Sequence, residues 1–395
     1  MKRLQTALDA AAMAAALVRE SVRLMIGRLV SSRGEGPVPA SAAALGPAEL
    51  TAAMSQACRG ARVARVRVLD GHSGTTERAR LALEYETVGE AGERPASVFV
   101  KTAPASLAGQ LFVNLMDLAA TEVRFYREIA PTLPIAVPRA WYAERHAATG
   151  AFVLVLEDLA ARGARFTDVS DRADLETARR VVTTLGRLHA AFWNSPRFDA
   201  DLHWLRPPGP RPSLRLERFL CRALVGRGTR RFADVIPEQI RASTTRIVAA
   251  RDRLERAWAE GPTTLLHGDS HIGNMYFVGD TVGLLDWQVA QRGQGMRDVS
   301  YFLVNSVPTE IRRAHERDLI ELWRAVLEEG GVCPPAFDTA WRQHRLHATY
   351  TWIGSAVTAA APQLQPAPIA RAGLSRACRA LVDLDSLAAL DEIGA

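Results

Sequence analysis

Asp269 and Asn274 lie five residues apart in the segment HGDSHIGN, and Asp286 ends the apolar run LLD further along the chain. A carboxylate such as Asp269 can orient an attacking hydroxyl and accept its proton. An amide oxygen and a second carboxylate are hard ligands of the kind that Mg²⁺ prefers. Transfer of a phosphoryl group from a nucleotide needs these groups together. The spacing therefore predicts Asp269 as the catalytic residue, with Asn274 and Asp286 as metal ligands.

A β-hairpin is the element that must position these side chains. Met275–Val278 and residues 281–285 are short β-prone runs on either side of the turn signal Gly-Asp at 279–280. In such a hairpin, Asn274 begins one strand and Asp286 ends its partner. We therefore expect the two oxygen ligands to converge on one metal ion.

The segment HGDSHIGN followed by LLDW resembles the aminoglycoside phosphotransferase and choline kinase group of small-molecule kinases. These enzymes are related to protein kinases, whose catalytic loop has the same Asp-to-Asn spacing. The resemblance covers about residues 65 to 360. It implies a two-lobed α+β fold, with a small antiparallel β-sheet and one helix followed by a mostly α-helical lobe. It also implies ATP and Mg²⁺ as cofactors, although the sequence does not distinguish ATP from GTP.

Lys101 is a candidate for contact with phosphate, because it is the only lysine besides Lys2 among 49 basic residues. An ammonium is a compact point charge and a guanidinium is a wide planar fork, so a tight site facing phosphate oxygens can require lysine. Lys101 ends the alternating run SVFVK. In the resembled family, the lysine at this place contacts nucleotide phosphates and pairs with a helix glutamate. Retention of this lysine by chance is the alternative.

Glu122 is the expected partner of Lys101. Residues 107–129 carry a helical stripe of apolar side chains. Glu122 falls on that stripe, and a buried carboxylate without a partner is strongly unfavourable. Glu128 is a competitor, and the alternative places Glu122 at the edge of the stripe in solvent. The stripe consists of Leu111, Leu115, Leu118, Phe125 and Ile129.

Two more segments are candidates for nucleotide binding. The turn GHSGTT, between strand-like residues 64–69 and 78–86, can place backbone N–H groups and hydroxyls against phosphate, but a plain hairpin turn is the alternative. Residues 152–159 (FVLVLEDL) resemble the hinge between lobes, where backbone groups meet the adenine, although Glu157 and Asp158 are also suited to capping the next turn. The predicted cofactor contacts in these segments are Ser73, Gly74, Thr75, Thr76, Glu157 and Leu159.

Several residues near the acid loop have predicted supporting roles. We expect His267 to hold the loop by hydrogen bonds, because phosphoryl transfer needs positioning more than a second base. Asp298 either caps a helix or, as the resemblance implies, hydrogen-bonds to the backbone of the catalytic loop. His271 either lines the substrate pocket or packs locally. Tyr350 and Trp352 are candidates for a substrate wall, with ordinary helix core as the alternative.

The domain organisation follows from these assignments. Residues 1–45 read as an alanine-rich helix and a Gly/Pro/Ser-rich linker, 46–157 as the nucleotide-binding lobe, and 158–395 as the catalytic lobe. Within the last, residues 196–262 are helical and arginine-rich, which favours a solvated face over a site for an anionic substrate. Those arginines are Arg211, Arg215, Arg218, Arg222, Arg227, Arg230 and Arg231.

The composition indicates which classes of partner and which cellular compartment fit the chain. The net charge of +6 fits an anionic ligand such as a nucleotide, or arginine-rich codon usage, and no Lys/Arg block is dense enough to indicate nucleic acid. The four cysteines are far apart without a CxxC motif, which indicates a reducing compartment, and we expect a cytoplasmic protein. No uncharged apolar run reaches about 18 residues, so no membrane span is predicted. Peripheral membrane contact through residues 1–30 is an alternative.

The acceptor is predicted only as a class. Asp298 follows Asp286 by twelve positions, too few for the segment on which protein kinases dock a peptide, so a small-molecule hydroxyl is favoured. A polycationic aminoglycoside would need a cluster of carboxylates that the sequence lacks near the aromatic positions. The segments SGTTERARLALEY and REIAPTLP resemble the ecdysteroid-kinase-like branch, which implies a bulky apolar alcohol. The alternatives are an antibiotic (aminoglycoside or macrolide) phosphotransferase, a protein or peptide kinase and a non-catalytic nucleotide-binding module. The sequence does not fix the oligomeric state.

Overall fold

The computed structural model describes residues 14–15, 17–25, 41–74, 76–86, 94–147, 149–208, 214–362 and 365–393, without the side chains of residues 44, 73 and 214–220. The chain divides into two compact units. The first comprises Met1–Arg165 with Leu285–Val289, and the second comprises Phe166–Leu284 with Ala290–Ala395. Much of the predicted N-terminal helix and linker (residues 1–13 and 26–40) lies outside the described residues.

The first unit is built on a five-stranded antiparallel sheet, with strand order β1-β2-β3-β5-β4. Side chains alternate between the two faces of a strand, and on β2 the inward set is Ala79, Leu81 and Leu83. Leu50 and Met54 of helix α1 pack in the same core. The predicted strands are therefore confirmed. The elements are α1 (Pro47–Met54), β1 (Val63–Ser73), β2 (Glu77–Tyr85), β3 (Ser97–Thr102), β4 (Ala140–Arg145) and β5 (Phe152–Glu157).

The helix predicted over residues 107–129 is interrupted. It forms α2 (Leu107–Leu115), α3 (Leu118–Arg124) and a π-helical turn (Phe125–Ile129). Asp117 separates α2 from α3 with a φ of 55°. This left-handed conformation is tolerated best by Gly, Asn and Asp, so a single aspartate can redirect the chain here. The apolar stripe is buried only after this break, at Leu118, Phe125 and Ile129.

The second unit is mostly α-helical. Its helices bury a large apolar cluster that includes Val225, Ile247, Trp352 and Leu381. The elements are α4 (Leu175–Ala191), α5 (Leu214–Arg231), α6 (Glu238–Ala249), α7 (Arg251–Ala257), α8 (Met296–Ser306), α9 (Thr309–Glu329), α10 (Phe337–Thr358), α11 (Ala367–Asp383) and α12 (Ser386–Glu392). With the sheet of the first unit, these helices confirm the predicted α+β class.

Two short strand pairs in the second unit carry the acid loop. Strand β7 (Thr264–Leu266) pairs antiparallel with β10 (Gln291–Gly293). Strands β8 (Met275–Val278) and β9 (Thr281–Leu284) form the predicted hairpin, with Gly279 at a φ of 57° in its turn. A further short strand, β6 (Arg165–Phe166), lies at the division of the chain between the two units. The sequence prediction of a strand, an acid-bearing loop and a hairpin is confirmed.

The surface of the second unit and the cysteines agree with the simpler sequence interpretations. Arg222, Arg227 and Arg230 of α5 are exposed, as expected for a solvated face. Arg211 and the side chains of Arg215 and Arg218 lie outside the described residues. All four cysteines are described, and no two of them form a disulfide. Among the described residues, no helix has the length and apolar character needed to cross a membrane.

Candidate active site

The acid loop follows β7 and is held by Asp298 of α8. The backbone N–H groups of His267 and Gly268 donate to the two carboxylate oxygens of Asp298, at 2.7 and 3.0 Å. Gly268 has a φ of 86°, a conformation that glycine adopts without strain. The predicted hydrogen bonds from Asp298 to the loop backbone are confirmed. Asp298 lies inside α8 rather than at its cap, so the capping alternative is not realised.

His267 and Ser270 complete the support of the loop. Both are fully buried. The N–H of Asp269 donates to Nδ1 of His267 at 3.2 Å, and the Ser270 hydroxyl donates to the carbonyl of Asp298 at 2.8 Å. His267 therefore holds the loop by hydrogen bonds, as predicted. A buried polar group that is satisfied in this way fixes its partner, because leaving it unpaired costs about 1–3 kcal/mol.

Asn274 and His271 lie against the carboxylate of Asp269. The amide nitrogen of Asn274 donates to Oδ2 of Asp269 at 3.0 Å and to its carbonyl oxygen at 2.9 Å. His271 Nε2 is 3.5 Å from the same Oδ2. Because the amide nitrogen of Asn274 faces Asp269, its amide oxygen is the atom suited to binding a cation. The side chain of Asp269 keeps 32% of its surface exposed, which leaves it accessible to a substrate.

Tyr301 is a site residue that the sequence interpretation missed. Burial opposes ionisation of Asp269, but His271, His267 and a hydrogen bond from Tyr301 outweigh it and lower its pKa. Burial and Asp269 raise the pKa of Tyr301 well above its ordinary value, so its hydroxyl stays protonated and can donate. Tyr301 is three residues after Asp298, a spacing that shares one helix face. That spacing was the signal available in the sequence.

An aromatic row continues from Tyr301 within the second unit. The rings of Tyr301 and Tyr350 are 5.9 Å apart, and Tyr350 contacts Trp258 edge to face at 5.7 Å. The guanidinium of Arg297 lies 3.9 Å from the centroid of the Tyr350 ring. The Tyr301 ring therefore lies between Asp269 and Tyr350. Its predicted contact with substrate stays a prediction.

Trp352 has a different environment from Tyr350. It is completely buried, and its indole N–H donates to the sulfur of Cys378 at 3.3 Å. It lies in the apolar core of the helical unit. This packing favours ordinary helix core, the alternative to a substrate wall, because a ligand could reach Trp352 only if the core opened.

Lys101 forms a buried ionic cluster in the first unit. Its ammonium is 2.6 Å from Oε2 of Glu122 and 2.9 Å from Oδ1 of Asp286. The side chains of Lys101 and Glu122 are only 4% and 3% exposed. The predicted Lys101–Glu122 pair is confirmed, while Glu128 pairs with Arg124 instead. Burial raises the pKa of Glu122, against the opposing charge of Lys101.

The backbone at Asp286 has an uncommon conformation. Asp286 has a φ of 62°, in the left-handed region, where Asp is enriched among the few non-glycine residues found. Next to it, the Trp287 ring stacks on Phe125, with centroids 4.0 Å apart and an interplanar angle of 9°. Surrounding packing holds residues in this conformation, and they are common at functional sites. The geometry therefore supports a functional role for this carboxylate.

The turn between β1 and β2 has the contacts of a tight hairpin. The N–H of Gly74 donates to the carbonyl of Thr76 at 3.0 Å, and Thr76 is buried. The Thr76 hydroxyl accepts a hydrogen bond from Arg78 at 3.2 Å. Thr75 and the side chain of Ser73 lie outside the described residues. Phosphate binding by Ser73, Gly74, Thr75 and Thr76 stays a prediction.

The segment after β5 is fixed by side-chain bonds. The Glu157 carboxylate accepts from Arg162 at 3.0 Å. Asp158 caps the short turn Leu159–Arg162 and accepts two hydrogen bonds from Arg80, at 3.0 Å each. The capping alternative is therefore realised by Asp158. Leu159 is buried. Contact of Glu157 and Leu159 with adenine stays a prediction.

The oxygen donors fit a magnesium-bound nucleotide by their chemistry. Mg²⁺ takes one or two protein oxygens and completes its shell with phosphate oxygens and water. The Asn274 amide supplies one such oxygen in the second unit, and the Asp286 carboxylate supplies another in the first. That the two share one metal ion stays a prediction.

A carboxylate loop with an amide partner and a buried lysine–glutamate pair are features found in kinases, which transfer phosphoryl groups. The chain matches the model of the phosphotransferase enzyme family over residues 87–330, more than half of its length, and it belongs to that family. The predicted membership in this group of small-molecule kinases is thereby confirmed. No protein with curated function matches the chain. The ecdysteroid-kinase-like branch stays a prediction.

Several solved structures are similar to the chain. Macrolide 2′-phosphotransferase MphH from Brachybacterium faecium is 17% identical, with a TM-score of 0.45 over 81% of this chain and 96% of that one. Choline kinase from Cryptosporidium parvum is 12% identical, with a TM-score of 0.48 over 82% and 91% of the two chains. A choline/ethanolamine kinase family protein from Mesorhizobium loti is 15% identical, with a TM-score of 0.43 over 83% and 92%.

Proposed function

We propose that the protein transfers the γ-phosphate of ATP to a hydroxyl group of a small molecule in the presence of Mg²⁺. The observation that carries this proposal is the fixed carboxylate of Asp269, which Asn274 and Tyr301 hold by hydrogen bonds and which keeps a third of its surface exposed. Membership in the phosphotransferase enzyme family supports it.

Each residue of the site has a defined task in this reaction. Asp269 orients the acceptor hydroxyl and accepts its proton, which leaves late because the transition state is loose. Its lowered pKa keeps it ionised at neutral pH, as this task requires. Asn274 and Asp286 would hold Mg²⁺, and Lys101 would contact the phosphates. The metal ion, when bound, supplies positive charge that neutralises the charge developing on the phosphate oxygens.

The surroundings of Asp269 support a neutral, bulky acceptor. Tyr301, Tyr350 and Trp258 form a row of rings, which suits an apolar body. The guanidinium of Arg297 packs on the Tyr350 ring, and its charge is compensated by Glu255 and Asp298. A hydroxyl on a bulky, uncharged compound is therefore the acceptor class that we propose.

The test is ATP consumption by the purified protein with Mg²⁺, screened over sterols, macrolides, amino alcohols, sugars and aminoglycosides. With the substrate so found, we expect Asp269→Asn to lower kcat by roughly 10²–10⁴-fold, as for loss of a catalytic acid–base group. Asp280→Asn is the matched control, because Asp280 lies in the hairpin turn with a side chain that is 91% exposed. An unchanged kcat in Asp269→Asn would contradict the proposal. Nucleotide binding without turnover of any acceptor would favour a binding module.

A further inference from the structure

Arg78 reaches the same carboxylate as Lys101. In the antiparallel pair β2–β3, Arg78 lies directly opposite Lys101, so both side chains leave the same face of the sheet. Arg78 Nη2 donates to Oδ2 of Asp286 at 3.3 Å, and Lys101 Nζ donates to Oδ1 at 2.9 Å. Asp286 is therefore held by two cations, one on each oxygen.

The four charged groups of this cluster balance. Lys101 and Arg78 carry two positive charges, and Glu122 and Asp286 carry two negative charges. Lys101 is committed to Glu122 and is buried, with 4% of its side chain exposed. Arg78 has 37% of its side chain exposed and also contacts Thr76, in the turn between β1 and β2. Arg78 is thus the cation of the cluster that can move.

A guanidinium at this place has two uses. It compensates the Asp286 carboxylate, and its planar fork matches phosphate oxygens. We propose that Arg78 is a second phosphate-binding cation of the nucleotide site, beside Lys101, and that it holds Asp286 until a divalent metal ion takes its place. Arg78 then turns from the carboxylate to the triphosphate. This inference rests on the proposed function, because it assigns Arg78 to the nucleotide that the reaction needs.

Binding measurements on the full chain test the phosphate contact. The ligands are AMP-PNP with Mg²⁺, and adenosine, which has no phosphate, each titrated by calorimetry. We expect Arg78→Gln to weaken AMP-PNP binding by roughly 10–100-fold, as for the loss of a hydrogen bond between charged groups. Adenosine affinity should stay within about twofold of the wild-type value, and Arg78→Lys should lie between. Arg65→Gln is the matched control, since Arg65 lies on β1 with 75% of its side chain exposed.

A second measurement tests whether Arg78 competes with a metal ion for the carboxylate of Asp286. Mn²⁺ binding without nucleotide is followed by electron paramagnetic resonance. We expect Arg78→Gln to bind Mn²⁺ more tightly than the wild type, because a competing cation is gone, and Asp286→Asn to bind it more weakly. Circular dichroism and thermal melting establish that each variant is folded.

Three results would overturn the assignment of Arg78. They are equal losses of AMP-PNP and adenosine affinity, unchanged AMP-PNP affinity, and unchanged Mn²⁺ affinity in Arg78→Gln. If Asp286→Asn weakens AMP-PNP binding and Arg78→Gln does not, the proposed function stands and Arg78 has no part in it. If the wild type binds neither AMP-PNP nor adenosine, both proposals fail.

Discussion

The two acids proposed for the site are held in opposite ways. Asp286 is held by two cations, Lys101 and Arg78, in the first unit. Asp269, in the second unit, is held by the amide of Asn274, the hydroxyl of Tyr301 and the imidazole of His271, which lies 3.5 Å away. A metal ion can replace a cation at a carboxylate, since both compensate its charge. Donors without a permanent charge leave the charge of the carboxylate available to an acceptor hydroxyl. The difference therefore fits a metal ligand in one unit and a catalytic base in the other.

The supports behind the two acids differ as well. The buried Lys101–Glu122 ion pair supports Asp286. The buried Asp298 supports Asp269, because it accepts hydrogen bonds from two backbone N–H groups of the acid loop. Breaking a buried ion pair costs about 3–5 kcal/mol, whereas a hydrogen bond to a charged group contributes about 1.5–3 kcal/mol. We expect the first unit to lose more stability than the second when its support is removed.

Removal of the Lys101 ammonium should have the largest effect on the free energy of unfolding. We expect Lys101→Met to lower the free energy of unfolding by about 3–5 kcal/mol, because it leaves Glu122 buried without its cation. Urea denaturation monitored by circular dichroism measures this loss. The double variant Lys101→Met with Glu122→Met should recover most of the stability without recovering nucleotide binding. A single variant as stable as the wild type would contradict the importance of the pair.

The same variant should show a pH dependence of defined sign. Burial raises the pKa of Glu122 in the folded protein, and Lys101 opposes the rise. A carboxyl whose folded pKa exceeds its unfolded pKa stabilises the fold at low pH, and this stability is lost as the pH rises through the folded pKa. Without Lys101 the folded pKa rises further. The stability deficit of Lys101→Met, measured by urea denaturation over a pH series, should therefore grow as the pH rises through the folded pKa of Glu122 in the wild type.

Asp298→Asn should have an intermediate effect. An amide offers one acceptor oxygen, so the N–H of either His267 or Gly268 loses its carboxylate partner. We expect a loss of about 1.5–3 kcal/mol in unfolding free energy. We also expect a fall in kcat with little change in KM for ATP, because the acid loop is displaced. Asp318→Asn is the control, since its side chain is 79% exposed. Equal effects of the two variants would show that Asp298 does not support the loop.

The sequence predicts those parts of the site that neighbours along the chain determine. The five-residue interval from Asp269 to Asn274 and the turn signal at Gly279 are local patterns, and both appear in the structure. The pairing of Lys101 with Glu122 was also predictable, because the one internal lysine and a carboxylate on an apolar stripe each need a partner.

Contacts that depend on register across strands, or on the direction of a helix, were not predictable. Arg78 lies opposite Lys101 only because of the pairing of β2 with β3, which turn spacing alone does not fix. Tyr301 meets Asp269 through the placement of α8. The break at Asp117 depends on one backbone conformation, for which apolar periodicity gives no signal. Trp352 lies in the apolar core of the helical unit, which favours the alternative that the sequence analysis left open for it.

Tyr301→Phe should have the smallest effect on stability and kcat. It tests directly whether the hydrogen bond from the Tyr301 hydroxyl positions Asp269. It removes one hydroxyl and keeps the ring against Tyr350. We expect kcat to fall by roughly fivefold, equivalent to about 1 kcal/mol for one hydrogen bond, with KM for ATP unchanged. Tyr350→Phe is the matched control, because its hydroxyl bonds to Arg297 rather than to Asp269. Equal losses of kcat in the two variants would indicate a general effect of the aromatic row. A loss confined to Tyr301→Phe would show that a neutral donor positions the catalytic carboxylate, as cations position Asp286.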